Sequence, residues 1–215
     1  MKNILLVLII GVSMIACKKE STTENSTIDA TTTDTITSTS GNSDSGIALM
    51  DAMKNMMDKM HQMKKTGNAD YDLAASMKEH HQGAIDMSAA EISSGTDAKL
   101  KEMAQKMSSM QQKEIAELEA IMSQSKSGGK NYEEDQGLGK AMMDNMMSMM
   151  KMPEASDSID RDFATMMIKH HKDGIMMGQT ILKYAKNAKF KSMTEKMITD
   201  QTNDIKELES WLSEN

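Results

Sequence analysis

One cysteine, one proline, 12 glycines and six aromatic residues are spread over 215 positions, and each shortage removes a class of protein. A lone Cys17 permits no intrachain disulfide, no CxxC redox motif and no thiolate cluster for a metal. Scarce proline and glycine argue against a turn-rich all-β fold. Aromatics at 3% are too few for a platform on which bases could stack. Positive charge is also short: 25 Lys and Arg face 32 Asp and Glu, a net charge of −7 and a pI near 5.3. Nucleic-acid binding needs a basic footprint to displace counterions, so no nucleic-acid partner is expected.

What the chain has in excess is methionine, 27 copies against 11 of leucine. Leucine ordinarily heads residue usage, so the apolar side of this protein is written largely in thioether.

The N-terminus reads as an address. A positive Met1-Lys2-Asn3 precedes an apolar run over residues 4–16, too short to span a bilayer that needs roughly 20 residues, and consistent with a secretory signal over 1–16. Cys17 follows directly, and Met14-Ile15-Ala16-Cys17 resembles a bacterial lipobox, with Met14 where leucine is usual. That resemblance implies a lipidated Cys17 and a membrane partner reached through the lipid. Lys18-Lys19 lacks the aspartate that retains some lipoproteins at the inner membrane, so the periplasmic face of the outer membrane is favoured. Residues 17–46 are Ser/Thr-rich with almost no apolar side chains, the composition of a disordered tether. The folded domain is expected over 47–215.

That domain is one motif written twice. A shift of 90 aligns residues 52–122 with 142–212 without a gap, and 24 of 71 positions are identical. Among the matches are Asn55-Met56-Met57 with Asn145-Met146-Met147 and His80-His81 with His170-His171; Gln111, Ile115 and Glu117-Leu118-Glu119 match Gln201, Ile205 and Glu207-Leu208-Glu209. A gapless match of this length signals duplication, with units of about 50–125 and 140–214.

Both copies carry helical periodicity, for example Leu73, Met77, Ala84, Ser88 and Ile92, or Phe163, Met167, Gly174, Gly178 and Leu182. Ser94-Gly95-Thr96-Asp97 combines a helix-ending glycine with N-cap residues and predicts a tight reversal. Shorter Met-rich helices are expected ahead of each hairpin, at about 47–64 and 137–151, with Gly67-Asn68 and Pro153 as stops. One hairpin leaves an apolar face uncovered; two can close on each other. The expected fold is all-α, an antiparallel four-helix bundle of two repeated hairpins with the Met helices appended.

The histidines and methionines suggest chemistry. His80 and His81 flank the apolar stripe of their helix, with Met77 one turn before and Met87 two turns after; His170, His171, Met167 and Met177 repeat the arrangement. Met103/Met107 and Met193/Met197, each i,i+4, are expected to face the same interior, as core, as ligands or as both. Ahead of the hairpins, Met53, Met57 and His61 fall on one helical line beside Met56, Met60 and Met63, and residues 142–152 hold seven methionines, Met146, Met147 and Met150 among them. So dense a run must turn some thioethers to solvent. Thioether is a soft neutral ligand that selects Cu(I), and imidazole suits copper in either state. The expected cargo is therefore copper, Cu(I) before Cu(II), with Ag(I) as surrogate.

The segment His80-His81-Gln82-Gly83-Ala84-Ile85-Asp86-Met87 resembles the HHQGAIxM signature of the DUF305 family, and Phe163-x-x-x-Met167-x-x-His170-His171 fits it too. The second copy departs from it at Lys172-Asp173-Gly174. The resemblance covers about residues 50–214. It implies a ferritin-like four-helix bundle exported from the cell, some relatives being periplasmic copper-binding proteins that use Met and His and support copper tolerance.

Three functions compete. The first is an envelope-anchored copper binder that sequesters the ion, or hands it to or takes it from another envelope protein, with oligomerisation open. The second is a ferritin-like metal oxidase, which needs Glu-x-x-His; no histidine has it, and the nearest form is Asp58/His61. No enzyme is expected. The third is a protein-interaction module with a Met-rich surface.

Overall fold

The computed structural model describes residues 41–125, 132–133 and 136–215. The signal, Cys17 and most of the tether lie outside them. Six helices follow one another without a strand among the described residues: α1 (Gly41–Gln62), α2 (Ala69–Ser94), α3 (Ala98–Gln124), α4 (Gly137–Met149), α5 (Ile159–Tyr184) and α6 (Ala188–Glu214). The two appended helices end two residues short of the sequence expectation, and α1 begins six residues earlier.

The caps repeat with the sequence. Asn68 and Ser158 start α2 and α5 by accepting from backbone N–H groups three residues on; Asp97 and Asn187 do the same for α3 and α6. Gly67, at φ 81°, supplies the left-handed residue that turns the chain between α1 and α2.

α2 packs on α3 and α5 packs on α6, and the two hairpins meet where α2 runs antiparallel to α5. Two aspartates clasp that crossing at its ends. Asp70, in the first turn of α2, accepts from the N–H groups of Lys186 and Asn187 in the α5–α6 turn. Asp160, its counterpart in α5, accepts from the N–H groups of Thr96 and Asp97 in the α2–α3 turn and from the Thr96 hydroxyl.

The appended helices are seated differently. Met53 and Met56 of α1 are fully buried, and Gly83 of α2 leaves the space that the Met56 side chain occupies: a Cβ there would stand 2.7 Å from its sulfur. At the matching place in α5 stands Asp173, which accepts from Ser148 of α4 and pairs with Lys169. Asn145 of α4 donates to Thr180 of α5 at 3.1 Å. α1 is thus held by packed thioether, α4 by polar contacts.

Candidate metal centre

Where α2 crosses α5, all four paired histidines lie at 0% exposure. The rings of His80 and His170 stack with centroids 3.7 Å apart and an interplanar angle of 21°; His81 and His171 stand tilted beside them at 6.3 and 6.2 Å. None of the eight imidazole nitrogens has a hydrogen-bond partner. Gln111 and Gln201, matched in the repeat, are buried here too, with unsatisfied amide oxygens. A buried polar atom without a partner costs about 1–3 kcal/mol, so this layer is expensive unless something coordinates it. Burial, reinforced by the neighbouring imidazoles, holds His80 and His170 well below the ordinary value of 6.5. Both rings are therefore neutral near pH 7, the form in which a nitrogen lone pair can ligate.

Carboxylates stand on the outer side of the layer. Glu114 Oε2 lies 3.0 Å from His81 Nε2 and Asp204 Oδ2 lies 3.5 Å from His171 Nε2, both out of line for a hydrogen bond. Residues 114 and 204 differ by 90, so this pairing belongs to the repeat. The sequence reading missed it because glutamate matches aspartate there and an identity count passes over it. No three His, Cys, Asp or Glu side chains among the described residues are placed to hold one ion. Any metal bound by the described residues must therefore draw on sulfur, amide oxygen or water.

Sulfur is close. Met77, Met87, Met103, Met107, Met167, Met177 and Met197 are buried in the core, and Met193 is half-buried.

The second concentration of sulfur lies at the surface. An open cavity of about 850 Å³ separates the end of α1 from α4. Met60, His61 and Met63 form one wall, Met142, Met143, Met146, Met147 and Met150 the other, and Leu73, Ser76, Met177 and Ile181 of α2 and α5 lie against it. Met147 and Met150 are 59% and 68% exposed. Lys64 and Lys65 also line the cavity, so a cation entering it would be held by the softness of sulfur more than by charge.

The two copies have thus diverged. Met143 and Met146 line the groove, whereas their counterparts Met53 and Met56 fill the core; Met57 is half-buried and outside the groove. Of the α1 candidates, only Met60 and His61 reach it. Met63, expected beside the α1 line, lies there too; Met142 and Met143 belong to the groove without having been singled out, and Met177, placed with the histidines by sequence, borders it as well.

The family model described as "Domain of unknown function (DUF305)" matches residues 16–122 and, again, residues 70–212. Solved structures of CopM share the fold: the Cu(I)-bound form (22% identity, TM-score 0.51), the apo form (22%, 0.52) and the Ag-bound form obtained by soaking (23%, 0.52). Each covers 67% of this chain and 95–96% of the CopM chain. Among curated proteins, none matches.

Proposed function

The chain belongs to the DUF305 family, and we propose that it is a copper-binding protein that takes up Cu(I) in the groove between α1 and α4. The observation that carries this reading is the groove itself, lined by nine Met and His side chains. Thioethers set in several directions around one opening can satisfy a soft monovalent ion without adding charge. Likeness to CopM, solved with Cu(I) and with Ag, supports the same reading.

In this proposal α2, α3, α5 and α6 are the ferritin-like four-helix bundle, and the histidine layer serves the more oxidised ion. Lipidated Cys17 and the tether that runs from it to the start of α1 hold the domain in the envelope, at the periplasmic face of the outer membrane. The protein stores the ion or exchanges it with another envelope protein, supporting copper tolerance, and catalyses nothing.

Exposed Met147 and Met150 favour one other reading, a surface that grips a partner helix without metal. Titration of the purified chain with Cu(I) against a competing chelator separates the two. Binding that disappears when the groove methionines become leucine supports the copper reading; a chain that takes up no Cu(I) at all refutes it.

A further inference from the structure

The face between α3 and α6 contributes nothing to the methionine groove, yet it holds a cavity of about 390 Å³. Asp204 lines that cavity and is at the same time the residue that touches buried His171. Its side chain is nearly closed off, with the residue 5% exposed and Oδ2 without a hydrogen-bond partner; His171, at 0%, has neither ring nitrogen satisfied. An unsatisfied carboxylate oxygen and an unsatisfied imidazole nitrogen therefore lie 3.5 Å apart, buried behind a cavity that Asp204 itself lines.

We infer that Asp204 and His171 form a second cation site, for a borderline divalent ion such as Cu(II), loaded from the α3–α6 face.

The separation suits it. Two donors each about 2.0–2.2 Å from a common ion lie roughly 3–3.6 Å apart, so both Asp204/His171 and Glu114/His81 have the right bite. The donor type suits it as well: imidazole and carboxylate favour Cu(II) or Zn(II), where the groove's thioethers favour Cu(I). Met110, Asp200 and Glu207 also line the cavity. Asp200 is neutralised by Lys196, and Lys106 and Lys206 lie at the same opening. What marks the site is therefore the unsatisfied pair at its floor, and not general acidity. With two protein donors the remaining positions fall to water or to Met110, which makes an open site fitted to exchange. The inference deepens the copper reading for the histidine layer and stands apart from the groove.

The test is Cu(II) binding by the full chain, read by electron paramagnetic resonance and by competition with a chelator. Asp204→Asn keeps the side chain's shape and should weaken Cu(II) at least tenfold and alter the resonance spectrum, as should His171→Gln. Ag(I) uptake in the same variants should be unchanged, since the groove is intact; loss of Ag(I) uptake in the unmutated chain would refute the groove reading separately. In case either variant unfolds, substoichiometric Cu(II) added to the unmutated chain should first broaden nuclear resonances around Met110, His171 and Asp204. Unaltered Cu(II) affinity and spectrum in folded Asp204→Asn, or first broadening at α4, would overturn the inference.

Discussion

His80 of the first repeat and His170 of the second stack face to face at 3.7 Å across the antiparallel crossing of α2 and α5, with no hydrogen bond to either ring. Two neutral imidazoles in van der Waals contact pack like any flat side chain. Their four nitrogens, however, have been taken from water with nothing given in return. A core selected for stability alone would not keep them.

Replacing both rings by leucine tests that statement. His80→Leu/His170→Leu removes four unsatisfied nitrogens and keeps approximately the volume, so the double variant should be at least as stable as the parent, and by up to a few kcal/mol more so. Urea unfolding measures it. A loss above about 2 kcal/mol would mean that the rings make compensating contacts.

Methionines of the groove and of the core should separate cleanly. Met→Leu nearly conserves volume and costs under about 1.5 kcal/mol in a core. Met146→Leu/Met147→Leu/Met150→Leu should lower Cu(I) and Ag(I) stoichiometry with little change in melting temperature. Met53→Leu/Met56→Leu should leave stoichiometry as it was, because both side chains are buried and neither lines the groove. Equal loss in the two variants would argue against a localised site.

Glu91 makes stability depend on pH. It is fully buried beside Gly95 and next to Asp160, and burial, followed by the charge of Asp160, pushes its carboxyl from 4.5 up to about 8. Below about 4.5 the folded and unfolded chains both hold the proton. From there to about 8 only the folded chain keeps it, so stability falls as pH rises through that window and levels off above it. The total change is on the order of a few kcal/mol. His80 and His170, depressed below 6.5, act in the opposite sense and only on the acid side: as pH falls below 6.5 the unfolded chain gains protons that the folded core refuses. The glutamate effect is therefore read between about pH 7 and 9, where Glu91→Gln should flatten the denaturation profile.

The clasps at the two ends of the crossing should act independently. Asp160→Ala strands the N–H groups of Thr96 and Asp97 and should cost about 2–4 kcal/mol, a drop of roughly 5–15 °C in melting temperature. Asp70→Ala, stranding Lys186 and Asn187, should cost a similar amount. The two sites lie a helix length apart and share no partner, so the double variant should show the sum. A deficit in the sum would reveal that one hairpin contact fails as soon as the other is released.

The chain's own order of residues determined a great deal. Methionine in place of leucine, the offset of 90, the helical periods and the capping residues are local or statistical properties, and from them follow the helices, the turns and the family. Long-range geometry decided the rest. Met56 and Met146 occupy equivalent places in the repeat, yet one is sealed against α2 and the other opens on a groove, because Gly83 admits α1 closely where Asp173 holds α4 through polar contacts. Asp204 and His171 are 33 positions apart and carry no shared motif; only the packing of α6 on α5 sets them side by side. Periodicity states which face of a helix is apolar. It does not state how near the neighbouring helix comes, and here the closeness of that approach separates a sulfur that fills the core from one that lines the groove.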